Sequence, residues 1–485
     1  MILDSHGSLT LNKAPLFSHS LSLSFSQSVR GVLERNMKTS STMFQDKQYH
    51  HNHNKRERWL TIGKGVPFVL ISLLMASVFS LFFLYAPNPL TLTPHHGHDM
   101  FEKPSQKQQQ QQEHATTTNV PSSKPPNEQK TCDLSKGHWV PDLEGSSSYY
   151  TNSSCTTIPE SKNCFKHGRE DSDFLKWKWK PEQCELPRFD PKTFLHMVRG
   201  KKMAFIGDSV ARNHFDSLIC LLSQEESPKD LYKDSEDRFR KWYFPMHDFT
   251  LTMLWSRFLI VGTERMVNGT NFSVFDMQLD KVDEDWATQL PHLDYAIISD
   301  GHWFFRVMHL YQAQSLLGCV YCDQQNLTHY NPDFTIRAAF RTAFKHINAC
   351  KECAKVVTVM RTFAPAHFEN GFWNTGGYCN RTGPVSEGEV DFGKFDWEVR
   401  NVQMEEFEKA RREGLEGGLG HRFEVVDVAR AMLMRPDAHP GEHWGNKWMR
   451  GYNDCTHWCM PGPVDMWSEL LLAVIKKHHH VGVST

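Results

Sequence analysis

A buried strand that runs straight into a helix through Gly207-Asp208-Ser209 constrains the fold of this chain more than any other feature. Residues 201–206 are mostly apolar, as in a buried strand, and residues 210–222 carry apolar side chains at helical spacing. A tight turn between two such elements exposes Ser209 at the carboxyl end of a strand and directs helix N-terminal N–H groups towards an anion formed there. A lone Gly-Asp-Ser is more often an ordinary turn with a serine N-cap, so a catalytic interpretation needs a second motif.

Asp454-Cys455-Thr456-His457, near the other end of the folded region, is that second motif. A serine hydroxyl is a weak nucleophile at neutral pH, so it needs an imidazole to take its proton and a carboxylate to hold the imidazole. His457 and Asp454 supply both groups from one loop. A loop aspartate and histidine alone are usually surface or capping residues, but together with Ser209 they predict a catalytic triad.

From residue 199 onwards the sequence alternates apolar strand patterns with helical patterns. The predicted strands are residues 201–206, 295–299, 355–360 and 423–426. The predicted helices include residues 210–222, 336–349 and 402–413, and a final helix begins near Pro463. Such alternation predicts an α/β fold, in which a mainly parallel sheet is flanked by helices.

Residues 66–86 form an uncharged apolar run that is long enough to span a bilayer. Basic residues precede the run and none follows closely, which predicts a single-pass type II anchor with the N-terminus in the cytosol. A cleaved signal peptide is disfavoured because a long segment precedes the run. We therefore expect the catalytic region to be luminal and anchored to a membrane through residues 66–86.

The rest of the chain divides by composition. Residues 1–65 are polar and predict a disordered cytosolic tail, and the Gln- and Thr-rich residues 87–131 predict a low-complexity luminal stem. Residues 132–198 contain four cysteines and little periodicity, which indicates a cysteine-rich N-terminal subdomain. Residues 199–479 are the predicted catalytic domain. The net charge of −2 argues against nucleic acid as a partner.

All twelve cysteines follow the apolar run, which indicates an oxidising compartment and hence disulfides of undetermined connectivity. Cys319-x-x-Cys322 and Cys350-x-x-Cys353 are compatible with a zinc ribbon or, less well, with a thioredoxin-like redox site, but an oxidising lumen favours disulfides and no metal. Sequons for N-glycosylation occur at Asn152, Asn268, Asn271, Asn326 and Asn380.

Over about residues 132–479, the chain resembles the plant trichome birefringence-like family of polysaccharide O-acetyltransferases. The resemblance is carried by residues 207–213 (Gly-Asp-Ser-Val-Ala-Arg-Asn), residues 361–368 (Arg-Thr-Phe-Ala-Pro-Ala-His-Phe) and residues 454–467, which begin Asp-Cys-Thr-His-Trp-Cys. The family is similar to SGNH/GDSL esterases and has a cysteine-rich N-terminal region and a Golgi anchor. The resemblance therefore implies an SGNH/GDSL-like fold, Golgi localisation, and Ser209, His457 and Asp454 as nucleophile, base and orienting residue.

The implied reaction transfers acetyl from a donor, acetyl-CoA or a compound derived from it, to a cell-wall polysaccharide through an acetyl-serine intermediate. Residues 299–306, Ser-Asp-Gly-His-Trp-Phe-Phe-Arg, look most like the xyloglucan-acetylating branch. Alternative interpretations are an acetyl-esterase with the same triad, an acetyltransferase for xylan, mannan or pectin, and a non-catalytic polysaccharide-binding protein.

One departure from the esterase pattern concerns the oxyanion hole. Where the superfamily has an asparagine after a central strand, this chain has Ser299-Asp300-Gly301-His302. We expect the oxyanion donors among the backbone N–H groups of Ser209 and Gly301 and the side chain of Asn213. The residues expected to support the site are Asp208 and Arg212, and those expected to stack on sugar rings are Trp303, Trp373 and Trp448.

Overall fold

The computed structural model describes residues 132–143, 148–267, 273–418, 420–445 and 451–481. The predicted tail, anchor and stem, together with Trp448, Asn268 and Asn271, lie outside these residues. Within the described ranges, no helix is both long enough and apolar enough to cross a membrane.

Thirteen strands and seven α-helices are found in the described residues. The strands are β1 (Gly137–Pro141), β2 (Trp177–Pro181), β3 (Lys202–Gly207), β4 (Lys229–Lys233), β5 (Arg240–Phe244), β6 (Phe249–Trp255), β7 (Ile260–Met266), β8 (Ser273–Val282), β9 (Tyr295–Ser299), β10 (Met308–Gln312), β11 (Ser315–Val320), β12 (Val357–Arg361) and β13 (Arg422–Val426). The helices are α1 (Pro191–Met197), α2 (Ser209–Leu222), α3 (Glu284–Ala287), α4 (Pro332–Ala349), α5 (Phe395–Glu416), α6 (Ala429–Leu433) and α7 (Met466–Val481).

The main sheet has the order β13-β12-β9-β3-β6-β5-β4. Its first five strands are parallel, and β5 and β4 extend it as an antiparallel pair. Every residue of β9 and β12 is buried, as expected for a parallel sheet that is covered on both faces. The predicted α/β architecture is confirmed for this core, and each of the four predicted strands overlaps an observed one.

A second sheet, of order β11-β10-β8-β7, was not predicted from the sequence. Most of β7 is exposed, and the edge strand β4 of the main sheet is exposed along its whole length. Strands of this kind have no apolar run, because they do not bury a face. The fold is therefore a mixed α/β structure and not one parallel sheet.

The alternation of side chains along β3 divides the apolar core in two. Met203 and Phe205 pack into a cluster that also contains residues of α2 and α7, whereas Ala204 and Ile206 pack into a cluster with residues of α4 and α5. Successive strand side chains point to opposite faces of a sheet, so β3 is buried from both sides. Its carboxyl end, where Ser209 follows, is consequently held in place by two layers of helices.

All twelve cysteines are paired, which confirms the predicted disulfides and supplies the connectivity that the sequence left open. The bonds are Cys132–Cys184, Cys155–Cys220, Cys164–Cys459, Cys319–Cys322, Cys350–Cys353 and Cys379–Cys455. Each Cys-x-x-Cys motif closes on itself. The sulfurs of Cys319 and Cys322 lie near His329, but as a disulfide they provide no thiolate for a metal.

The cysteine-rich residues 132–198 pack tightly against the catalytic region. Cys155 and Cys164 bond to cysteines beyond residue 198, and the Trp139 indole donates to the Ala431 carbonyl at 2.8 Å. A further contact joins Tyr150 to Asp465, which lies in the turn before α7: the Asp465 carboxyl accepts from the Tyr150 hydroxyl at 2.7 Å and from the Ser217 hydroxyl at 2.5 Å.

Asp465 couples folding to pH. Burial raises the pKa of its carboxyl to about 6, so the folded state binds this proton more tightly than the unfolded chain does. Stability from this group is present at low pH and is lost as the pH rises from about 4 through about 6. We expect Asp465→Asn to remove this part of the pH dependence, about 3 kcal/mol, in the free energy of unfolding. Urea unfolding of both proteins between pH 3 and 8 measures it, and identical pH profiles would contradict the coupling.

Candidate active site

Ser209 is the first residue of α2 and lies at the carboxyl edge of the main sheet. The preceding Gly207 has a φ of +143°, and a Cβ on it would lie 1.7 Å from the Ser299 carbonyl oxygen of the adjacent strand β9. Only glycine fits this close approach. The turn thus follows directly from the pairing of β3 with β9, and it places Ser209 beside the loop that leaves β9.

Asp208 fixes the start of α2. One carboxylate oxygen accepts from the N–H groups of Val210 and Ala211, at 2.9 and 3.3 Å. The other accepts from the backbone N–H of His302 at 3.1 Å. Burial opposes ionisation, but these bonds, His302 and the positive charge of Arg361 together lower the pKa of Asp208 to about 2. Asp208 is therefore an ionised N-cap that joins the two loops at the site.

Asp300 has the opposite protonation state. Burial, reinforced by the negative charge of Asp208, raises the pKa of Asp300 well above its usual range, which favours the neutral form of this carboxyl. It accepts from the Gly301 N–H at 2.6 Å, and its backbone carbonyl accepts from the Gln403 side chain at 2.9 Å. These hydrogen bonds of Asp300 hold the loop after β9 without adding a second buried negative charge next to Asp208.

Asp454 and His457 form the second half of the site. The distance between Asp454 Oδ2 and His457 Nδ1 is 2.8 Å. The other carboxylate oxygen accepts from the N–H groups of Thr456 and His457, at 3.1 and 3.0 Å. Burial disfavours the charge, but His457 and these N–H groups hold the pKa of Asp454 well below its usual range. An ionised Asp454 fixes the tautomer that leaves His457 Nε2 free to accept a proton.

Asn213 attaches the His457 loop to α2. Its amide oxygen accepts from the Trp458 N–H at 2.8 Å and its amide nitrogen donates to the Trp458 carbonyl at 3.3 Å. Ser209 and Asn213 are four residues apart and so share one face of α2. The residue after His457 is therefore fixed one helical turn from Ser209. No hydrogen bond joins Ser209 Oγ to His457 Nε2 in the described structure, where the paired nitrogen of His457 is Nδ1.

Two disulfides and a pair of backbone hydrogen bonds also fix the loop that contains Asp454 and His457. Cys455 bonds to Cys379 and Cys459 bonds to Cys164, so the loop is tied covalently on both sides of His457. Asp454 also exchanges two backbone hydrogen bonds of 2.9 Å with Gly441. A loop held in this way loses little further conformational entropy when substrate binds.

Two buried histidines extend the network behind His457. His367 Nδ1 lies 2.7 Å from His439 Nε2, and His439 Nδ1 lies 2.7 Å from the His457 carbonyl oxygen. Burial lowers the pKa of His367 to about 4 and that of His439 well below its usual range, so both rings are neutral. A carbonyl oxygen only accepts, so His439 carries its proton on Nδ1 and donates it to the His457 carbonyl. The single proton of His367 can serve either His439 Nε2 or the Leu433 carbonyl, which lies 3.2 Å from His367 Nε2.

The structure changes the expected roles of Gly301 and Asn213 and leaves Arg212 in a supporting role. The Gly301 N–H is taken up by Asp300 and the Asn213 side chain by Trp458, so neither is free to bind an oxyanion. Arg212 contacts the carboxylates of Asp216 and Asp237, at 3.4 and 3.0 Å. Gly301, Asn213 and Arg212 therefore stabilise the structure around the site through contacts with other protein groups. No described residue accepts a hydrogen bond from the Ser209 N–H, which remains the oxyanion donor we expect.

The aromatic candidates also differ from one another. The guanidinium groups of Arg306 and Arg257 lie 4.2 and 5.0 Å from the centre of the Trp303 ring, so protein groups already contact this ring. Trp373 is 39% exposed, and no described aromatic ring or cation stacks on it. Of the predicted stacking residues within the described ranges, Trp373 is thus the one with an available face.

Sequence reasoning gave no role to His439 or Gln403 and did not recognise Asn213 as the residue that holds the His457 loop. Their partners are backbone groups far away in sequence, and no local pattern indicates such contacts. Only Asn213 could have been found from the sequence: it lies one helical turn after Ser209, so its side chain is on the same face of the helix as Ser209.

The strand, turn and helix around Ser209, together with the Asp-His pair, define the SGNH-like class of acyl-esterases. Residues 186–474 match the family model described as the GDSL/SGNH-like acyl-esterase family found in Pmr5 and Cas1p, and residues 130–185 match the PMR5 N-terminal domain. Because the first match covers more than half of the chain, this protein belongs to that family, and within it to the trichome birefringence-like proteins.

Several plant proteins are similar over most of their length. The chain is 53% identical to Xyloglucan O-acetyltransferase 4 of Populus trichocarpa over 423 residues, 87% of this chain and 95% of that protein. It is 48% identical to xyloglucan O-acetyltransferase 2 of Arabidopsis thaliana, over 91% of this chain and 100% of that protein. It is 43% identical to Protein trichome birefringence-like 19 of Arabidopsis thaliana, over 73% of this chain and 82% of that protein.

Gly207→Ala tests the close approach of the two strands at the site. A Cβ at this position would overlap the Ser299 carbonyl oxygen, so β3 and β9 must separate where both strands are buried. We expect a loss of about 4 kcal/mol or more in the free energy of unfolding. Gly383→Ala is the control, because no atom lies within 4 Å of a Cβ there. Similar melting temperatures for the two variants would contradict this account.

Proposed function

We propose that this protein is an O-acetyltransferase that transfers acetyl groups to xyloglucan through an acetyl-serine intermediate. The observation that carries the proposal is the Asp454–His457 pair, which is fastened through Asn213 to the helix that begins with Ser209. The names of the relatives above support acetyl transfer and the choice of xyloglucan.

In the first step, the Ser209 hydroxyl attacks the acetyl carbonyl of the donor. His457 Nε2 takes the hydroxyl proton, and the ionised Asp454 stabilises the imidazolium that results. The Ser209 N–H, at the positive end of the α2 dipole, stabilises the oxyanion of the tetrahedral intermediate. Collapse of that intermediate expels the donor's leaving group, which receives the proton from His457.

In the second step, a sugar hydroxyl replaces the donor and loses its proton to His457 as it attacks the acetyl-serine carbonyl. The second tetrahedral intermediate expels Ser209, which regains its proton from His457, and the acetyl ester remains on the sugar. Transfer requires that the sugar hydroxyl reach the ester more effectively than water does. The same residues would catalyse hydrolysis if no acceptor were held there, so the binding of acceptor separates transferase from esterase.

We further propose that the protein works in the Golgi lumen as a single-pass type II membrane protein. The six disulfides support an oxidising compartment, and the sequons within the described ranges, at Asn152, Asn326 and Asn380, are all exposed. The predicted anchor at residues 66–86 supports attachment to the membrane.

Ser209→Ala tests the nucleophile. With the full chain, xyloglucan oligosaccharides and an acetyl donor, mass spectrometry should show acetyl addition by the wild type and none by Ser209→Ala. Asp454→Asn should reduce the rate by about 10³-fold or more, because His457 loses its orienting anion. Ser223→Ala, at the other end of α2, is the matched control and should retain activity.

Other outcomes of this assay identify the alternatives. Acetyl addition by Ser209→Ala at a rate near that of the wild type would exclude Ser209 as nucleophile. Removal of acetyl from acetylated xyloglucan without addition from a donor would identify an esterase. Addition to xylan, mannan or pectin fragments but not to xyloglucan would reassign the substrate.

Protease protection tests the topology. In intact microsomal vesicles from plant cells that express the full chain, we expect the catalytic region to resist added protease and to become sensitive when detergent opens the vesicles. Enzymatic removal of N-glycans should lower its mass. Digestion of the catalytic region in intact vesicles would place it on the cytosolic side and contradict the proposal.

A further inference from the structure

Residues 369–378, here called the aromatic turn, present two unpaired aromatic side chains to solvent. Phe372 is 70% exposed and Trp373 is 39% exposed. Most large apolar side chains of the described structure are buried, so two adjacent exposed rings on one turn need an explanation. No described aromatic ring or cation packs on either of them.

The aromatic turn has a defined conformation. Glu369 and Tyr378 close it with two backbone hydrogen bonds of 2.7 and 3.0 Å, and the Phe372 carbonyl accepts from the N–H groups of Thr375 and Gly377, at 3.1 and 3.0 Å. A Cβ on Gly377 would lie 2.7 Å from the backbone of Gly371, so the two arms touch. The rings are thus displayed by an ordered backbone, which lowers the entropy lost when a ligand binds.

The aromatic turn is also tied to the catalytic loop. Cys379, the residue after the turn, forms the disulfide with Cys455, which lies between Asp454 and His457. The Asn453 side chain donates to the Gly377 carbonyl at 3.3 Å. Consecutive Cα atoms are only about 3.8 Å apart, so these two links keep the Gly377 end of the turn within a few residues' length of the catalytic base.

We propose that Phe372 and Trp373 form the acceptor subsite that holds a sugar ring of the polysaccharide beside His457; this inference rests on the acetyltransferase function proposed above. The axial C–H faces of a neutral sugar pack on aromatic rings, and such a ligand needs no charged partner. The turn offers the rings without a cluster of basic side chains, which suits a neutral polysaccharide. An acceptor held there lies where it competes with water for the acetyl-serine.

The test separates binding from turnover. In a full-chain Ser209→Ala background, isothermal titration with a xyloglucan oligosaccharide should give an affinity that Phe372→Ala and Trp373→Ala each weaken by at least about fivefold. Trp373→Phe, which keeps an aromatic face, should retain most of the affinity. Tyr232→Ala removes an aromatic side chain that is 53% exposed, between the values of Phe372 and Trp373, from the edge strand β4 and should bind as the parent does.

In the active protein, Trp373→Ala should raise KM for the polysaccharide acceptor, and KM for the acetyl donor should stay unchanged. Equal affinities of the parent, Phe372→Ala and Trp373→Ala, or no binding of oligosaccharide by the parent, would overturn the subsite. So would a loss of self-association in Trp373→Ala with unchanged sugar binding, because the rings would then contact a second copy of the chain.

The subsite and the proposed function can fail separately. If Trp373→Ala weakens sugar binding but the wild type transfers no acetyl, the aromatic turn is a polysaccharide site and the transferase proposal is wrong. If the wild type transfers acetyl and Trp373→Ala changes neither affinity nor KM, the function stands and the acceptor binds elsewhere.

Discussion

The candidate active site depends on how the loop of Asp454 and His457 is fixed to the helix of Ser209. These groups come from opposite ends of the catalytic region, so nothing in the local chain keeps them together. The amide of Asn213 supplies the specific link, because its oxygen accepts from the Trp458 N–H and its nitrogen donates to the Trp458 carbonyl. An amide side chain can make both bonds at once, whereas an ionised carboxylate of the same size has no hydrogen to donate and would leave the Trp458 carbonyl unpaired.

The same constraint explains why the cysteine-rich N-terminal region is part of the active-site architecture. Cys164 is bonded to Cys459, and the Lys162 carbonyl accepts from the Met460 N–H at 2.9 Å. The Arg169 guanidinium donates to the backbone carbonyl of His439. The imidazole of the same residue donates from Nδ1 to the carbonyl of His457. Covalent and polar contacts from residues 132–198 thus reach the back of the catalytic loop. Deletion of residues 132–198 would remove these contacts from the loop of His457 and would also expose the apolar core.

Buried charge is distributed so that the site carries few uncompensated ions. Asp208 is ionised because helix N–H groups, His302 and Arg361 surround it, and its negative charge helps to keep the nearby Asp300 neutral. Two carboxylates ionised together in this apolar region would repel each other strongly. Asp454 is ionised because His457 and the N–H groups of Thr456 and His457 surround it, and its charge would stabilise a protonated His457. The surroundings of each carboxyl thus favour the neutral form of Asp300 and the charged forms of Asp208 and Asp454.

The sequence by itself determined the residues of the predicted triad, the parallel strands around Ser209 and the presence of disulfides, because each depends on residue type or on short-range periodicity. Only the tertiary structure decided which cysteines pair, that a second sheet with exposed strands exists, and that Asn213 and Gly301 are occupied by other contacts. It also distinguished Trp303, whose ring is packed against arginines, from the exposed Trp373. The physical reason is that hydrogen bonds and ring contacts between distant segments depend on where the folded backbone places each group, and residue spacing along the chain does not encode that position.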